Sequence, residues 1–311
     1  MKKIISMLLI LVLGALMFVS CGGDDQPEEK EYTLAIGVAV AQEGAKVTNT
    51  VAAVVADKDG KIVSCRIDCI DVKANLLDDG TVDASTTYQS KAELKDKYNM
   101  VQYGGAKAEW YVQAKAVEDF VAGKTQAEVK AIALDATGKT TNADLLASCT
   151  IGISDFIKAI DNAFKSEHKV SFKSASALTV GVSVNADVTG KVKGDSVSAS
   201  YVADFAASVI ADGKVAAAVI DSNEVTAPIV DDEFGAITYP GTKLEQGDDY
   251  NMVEYAGAKA EWYVQAQTYA NTAVGKTASE VATLATEGIA GCTIAVEGYQ
   301  KALAKAAEYA R

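Results

Sequence analysis

The chain has 311 residues, enough for two cores of roughly 140 residues each, and it carries 42 acidic against 29 basic side chains for a net charge of −13. A balance of that sign repels phosphate, which excludes nucleic acid and bare anionic lipid surfaces as partners. Charges are interleaved with apolar residues throughout, which excludes global disorder.

Met1-Lys2-Lys3 is a short basic start, and Ile4 to Val19 is an apolar run of 16 residues, short of the roughly 20 that span a bilayer. It closes with Phe18-Val19-Ser20-Cys21, which resembles the lipobox of bacterial lipoproteins. The resemblance implies that residues 1–20 are a lipoprotein signal peptide and that Cys21 becomes the lipidated N-terminus. The protein is then held to a bacterial membrane, on its extracytosolic side, and loss of Lys2 and Lys3 takes the net charge to −15. Residues 21–31 follow as an acidic tether with no apolar anchor.

From Tyr32, β-branched runs alternate with turn residues: Asp57-Lys58-Asp59-Gly60 separates two runs in the first half, and Ala211-Asp212-Gly213 does so in the second. Both are hairpin signals. Asp68 and Asp221 close corresponding strands. Irregular stretches follow, Asp71 to Lys97 and Ser222 to Asp249, where the halves diverge most, as surface connections do.

One stretch occurs twice. Tyr98 to Lys115 and Tyr250 to Gln267 agree at 15 of 18 positions and contain both tryptophans. The spacing predicts a helix in each copy, with Ala106, Trp110, Ala114, Val117 and Val121 on one stripe and Ala258, Trp262, Ala266, Tyr269 and Ala273 on the other. Gly123 and Gly275 read as left-handed caps, and Thr125 with Glu128, like Thr277 with Glu280, as capping boxes. Final helices are expected over Asp144 to Phe164 and Ala290 to Tyr309, and Ser166 to Ser176 reads as a linker. The fold class expected is α+β, with two tandem homologous modules, 32–167 and 175–311, each a small antiparallel sheet followed by about three helices. The linker carries no long apolar run, so each module is expected to keep its own core.

Little chemistry stands out. Gly123-Lys124-Thr125 lacks the earlier glycine of a phosphate loop, since Glu118 stands there. Cys65 and Cys69 are too far apart along a strand to bridge, about 13 Å, and a bond from either to Cys149 is left open in an oxidising envelope; Cys292 is the remaining thiol. No cysteine has a ligand set around it for a metal. His168, the sole histidine, is expected to be exposed in the linker, and nucleophilic hydrolysis then lacks its usual base. Glu109 with Gln113, and Glu261 with Gln265, have the spacing of ordinary helix-surface hydrogen bonds. The repeated aromatics Tyr103, Trp110, Tyr111, Tyr255, Trp262 and Tyr263 are the candidate ligand contacts, with core packing as their alternative role.

The lipobox, the Asp57-Lys58-Asp59-Gly60-Lys61-Ile62 turn and the repeated Tyr-Asn-Met…Ala-Glu-Trp-Tyr…Gly-Lys-Thr pattern together look like extracytosolic lipoproteins of anaerobic bacteria. These sit near the FMN-binding-domain proteins of envelope electron transfer. Covalently flavinylated members carry an Asp, a Ser or Thr, a small residue, Ala and an acceptor Thr or Ser. Asp83-Ala84-Ser85-Thr86-Thr87 begins that way, but Tyr88 and Gln89 stand in place of the Ala and the acceptor. The resemblance thus implies at most non-covalent FMN. The leading expectation is a non-enzymatic, membrane-anchored binding module for a small molecule or envelope protein, with a flavin redox carrier and a structural or adhesive surface protein as alternatives.

Overall fold

A computed structural model describes residues 28–193 and 196–311; Cys21 and the leader lie outside them. Eight strands form two antiparallel sheets, and eleven helices accompany them among the described residues. The first sheet has the order β3-β2-β1-β4, from β1 (Lys30–Glu43), β2 (Lys46–Asp57), β3 (Ile62–Lys73) and β4 (Val170–Ser174). The second has the order β5-β6-β7-β8, from β5 (Thr179–Lys193), β6 (Ser196–Ala211), β7 (Lys214–Val230) and β8 (Glu233–Phe234). Each sheet is built on a three-strand meander, and its tight turns follow from Gly44, Gly60 and Gly213, all at positive φ.

Alternation along the strands sorts side chains to two faces. In β1, Leu34, Ile36 and Val38 join a cluster that also holds Tyr201, Phe205, Val209 and Val225 of the second sheet. Ala35 and Ala39 instead join Trp110, Val117, Phe156 and Ile160. The sheets therefore pack face to face with helices on both outer sides, in four layers. Asn223 Nδ2 donates to Asn49 Oδ1 at 2.8 Å and Tyr201 Oη to Ala45 O at 2.7 Å across the sheet interface. Two separate cores were expected from the polar linker; the apolar inner faces of both sheets correct this, because each would be left in water without the other. The linker is itself structural: β4 lies inside Ser166 to Ser176 and pairs with Lys30–Leu34, a strand that begins within the supposed tether.

The first half carries α1 (Lys91–Leu94), α2 (Met100–Gly104), α3 (Trp110–Val121), α4 (Gln126–Lys130), α5 (Ala143–Leu146) and α6 (Ser154–Lys165). The second carries α7 (Lys243–Gln246), α8 (Met252–Ala256), α9 (Trp262–Asn271), α10 (Ala278–Val281) and α11 (Glu297–Glu308). Helices outnumber the expected three per half because several are single turns. α6 and α11 lie directly on β1 and β5: a methyl on Gly37 would overlap the backbone of Ala159 and Ala163, and one on Gly181 that of Ala306. Gly123 and Gly275 take the expected left-handed φ, and their amides donate to Ile62 O and Val215 O, tying helix ends to strands. Both expected capping boxes form.

The repeated stretch is not one helix. Ala106 and Ala258 precede it, and α3 and α9 start at the tryptophans. Glu109 and Glu261 cause the break: each turns its carboxylate back onto the first amides of the preceding short helix, Met100 and Val101 at 2.8 and 3.0 Å, and Met252 and Val253 at 2.8 and 3.1 Å. The glutamine partners expected for them are buried instead. Gln113 accepts from Thr150 N at 2.8 Å and Gln265 from Thr293 N at 2.7 Å, pinning the irregular segment that interrupts each expected final helix. The expected helices over Asp144 to Phe164 and Ala290 to Tyr309 shorten to α6 and α11 for this reason, with α5 as a separate turn.

Candidate ligand cleft between the two halves

Where the repeated stretch recurs, residue numbers correspond at an offset of 152, and through the last helices, anchored on Cys149-Thr150-Ile151 and Cys292-Thr293-Ile294, at 143. The end of α6 lies against α7, and the end of α11 lies against α1. The interface therefore has two ends of similar construction and different content.

At the α11 end the protein fills the space with its own ions. Glu118, with its side chain 1% exposed, accepts from Ile67 N at 2.9 Å, Arg66 Nη1 at 3.2 Å and Arg311 Nη2 at 3.2 Å, while Arg66 also donates to the carbonyl of Arg311. Glu93 Oε1 meets Lys305 Nζ at 2.6 Å. A gap of about 290 Å³ is left.

At the α6 end the corresponding positions hold Val219 for Arg66, Ala270 for Glu118, His168 for Arg311 and Asn162 for Lys305. Two adjoining clefts of about 510 and 650 Å³ open there and share Glu167, His168 and Leu244. His168 is half-buried, contrary to its expected exposure, because its ring stacks on Tyr263 with centroids 4.4 Å apart and the rings inclined by 32°. Tyr263 Oη donates to Asp248 Oδ1 at 3.1 Å, and Ile220, Leu244 and Val264 supply apolar wall. Four carboxylates line the cleft, from Glu167, Glu245, Asp248 and Asp249, against Lys165 and Lys169. Lys165 is taken up by Asp161 at 2.5 Å.

The six candidate aromatics separate into three sets. Trp110 and Trp262, 4% and 2% exposed, are core residues making edge contacts with Phe156 and Tyr299. Tyr103 and Tyr255, 79% and 84% exposed, stand on the surface in neither cleft. Tyr111 and Tyr263 are half-buried and bond Asp96 and Asp248 alike, but of these two only Tyr263 lines an open cleft. Glu245 is a cleft residue that the sequence did not single out, and His168 is one that its linker position placed in solvent. Thr242-x-x-Glu245 and Ser90-x-x-Glu93 are capping boxes of the kind found at Thr125, so Glu245 was accessible to the same rule.

Three further carboxylates lie beneath helices of the two halves. Burial raises Asp204 to about 6, and Asp68 and Asp221 to about 7 each. The last two cap α1 and α7: Asp68 Oδ1 accepts from Ala92 N at 3.1 Å, and Asp221 Oδ1 from Leu244 N at 3.0 Å. Their role is structural. Burial also raises the thiol of Cys69 to about 11, and the thiols of Cys65, Cys69, Cys149 and Cys292 are all free in this structure.

The residues present do not fit FMN in the open cleft. A flavin phosphate there faces four carboxylates, and the Tyr263 ring already carries His168. Asp83, which opens the flavinylation-like stretch, spends its carboxylate on a local turn with Ser85 N and Oγ at 2.8 and 2.6 Å. Among the described residues no cluster of His, Cys, Asp and Glu is placed to hold a metal ion, and no helix is long and apolar enough to cross a membrane. No protein-family model, curated protein or solved structure matches the chain.

Proposed function

We propose that the protein is a non-enzymatic, extracytosolic binding module, built from two tandem homologous units and held to a bacterial membrane by lipid on Cys21. The leader and Ser20-Cys21 support the anchor. One observation supports the binding role: two ends of one interface share a scaffold, yet one is plugged by Arg66, Glu118 and Arg311 while the other is left as a cleft around His168 and Tyr263. A cleft of several hundred Å³ with an apolar wall and a few convergent polar groups is the usual form of a small-molecule site. Among the described residues no serine, threonine or cysteine side chain bonds the His168 ring, which stacks on Tyr263 instead, and this favours binding over turnover.

The test is a thermal-shift screen of small cations, anions and neutral compounds against the wild type and Tyr263→Ala. A compound that stabilises the first and not the second supports the reading. Stabilisation that survives Tyr263→Ala, or none from any class, removes it.

A further inference from the structure

We infer that copies of this chain bind one another through two exposed patches of the repeated stretch, the patch around Tyr103 of one copy against the patch around Tyr255 of the next. Neither ring lines the cleft. At an offset of 152, Tyr98 to Lys115 agrees with its counterpart at 15 of 18 positions, whereas the 15 residues before it and the 15 after it agree at five positions each. Internal packing explains part of that excess. Trp110 and Ala114 are core, Asn99 and Gly105 take left-handed φ, Glu109 holds two amides, and Gln113 pins Thr150. Val101, Tyr103 and Lys107 are exposed instead, and they recur identical and exposed as Val253, Tyr255 and Lys259. Over the same offset buried positions have changed, with Tyr269 for Val117 in the core. A ring that is 79% exposed in one half and 84% in the other, kept in place while the core beneath it changes, serves a contact outside the chain.

The backbone presents both patches alike. Tyr103 N donates to Asn99 O at 3.0 Å and Ala106 N to Met100 O at 3.3 Å, and Tyr255 N and Ala258 N repeat the two bonds to Asn251 and Met252 at 3.1 and 3.2 Å. The patches thus match in backbone and in apolar residues, but they differ in charge. Over 93–107 the exposed charged residues are Lys95, Asp96, Lys97 and Lys107, a net of +2. Over the matching 245–259 they are Glu245, Asp248, Asp249, Glu254 and Lys259, a net of −3. Pairing two like patches brings lysine to lysine or carboxylate to carboxylate, so charge selects first against second. That selects the occupant too: the surface that offers the same apolar residues with the opposite charge is on a second copy of this chain. Each copy holds one patch of either sign, so the contact can pass from copy to copy.

The test is light scattering on residues 22–311, which keep every described element, in a series up to about 1 mM, where even a weak contact is populated. At low salt the mean mass should rise above that of one chain, and about 0.5 M salt should bring it back down. Tyr103→Ser and Tyr255→Ser alter exposed rings, so both variants should melt like the wild type. Each alone should associate about tenfold more weakly or stay monomeric. Mixed, they should form a one-to-one pair and stop there, because each supplies the patch that the other lacks. A wild type that remains monomeric overturns the inference, as do single variants that associate like the wild type, a mixture that does not pair, and association that salt leaves unchanged.

Discussion

Glu93 Oε1 and Lys305 Nζ lie 2.6 Å apart, although one belongs to the first short helix of the chain and the other to the last. The glutamate side chain is only 9% exposed there and the lysine 32%, so the pair is better shielded than a surface ion pair. It ties the two halves together. Lys305→Met should lower stability by about 1 to 3 kcal/mol in urea unfolding, with Glu93→Gln adding little more, since the two act on one interaction. Full additivity in the double variant would show that the pair does not couple the halves.

A shared core has a cooperative consequence. Leu34, Ile36, Val51, Tyr201, Phe205 and Val225 belong to one cluster across both sheets, so neither half buries its inner face alone. The full chain should melt in a single calorimetric transition, and residues 32–167 expressed alone should show no cooperative transition. Two resolved transitions in the full chain would contradict the four-layer arrangement.

The repeated stretch carried most of what was legible in the sequence. Its helical stripe, the glycine ends and the Thr125 and Thr277 caps depend on local spacing, and local spacing is written in the chain. The inner-face strands were legible as strands but not as partners, because Leu34 and Phe205 show only that each strand has an apolar side and not what covers it. The cleft was hidden for a similar reason. His168 reads as a linker residue until the fold brings Tyr263, 95 positions later in the numbering, under its ring. What exposed the cleft was a difference between corresponding residues, such as Asn162 against Lys305, which has meaning only once both ends of the interface are in view.

The tryptophans separate packing from ligand contact. Trp110, 4% exposed against Phe156, should cost about 3 to 5 kcal/mol on truncation to Ala, whereas Thr125→Ala, which removes only a cap, should cost about 1 kcal/mol. Melts of the two variants without ligand check this; a Trp110→Ala protein more stable than Thr125→Ala would mean that the indole is not in the core.

Acidity should stabilise this protein over part of its range. Burial holds the protons of Asp68 and Asp221 up to about pH 7 in the folded state, whereas an unfolded aspartate releases its proton near pH 4. Between those values the folded state binds more protons, so stability falls as pH rises through that window, and the loss is complete above it. The melting temperature should therefore drop by several degrees from about pH 5 to pH 7.5. The doubly substituted Asp68→Asn, Asp221→Asn protein should have a flatter profile, and an unchanged slope would assign the dependence to other groups.

The most direct measurement uses the fact that the chain has one histidine. The imidazole Cε1–H resonance of His168 reports on the cleft alone, because the ring lies over Tyr263 between the two open volumes. Recorded alongside the thermal-shift screen, it should move with every compound that stabilises the protein, in proportion to occupancy. A compound that raises the melting temperature and leaves the His168 signal in place would put the binding site elsewhere and contradict the account.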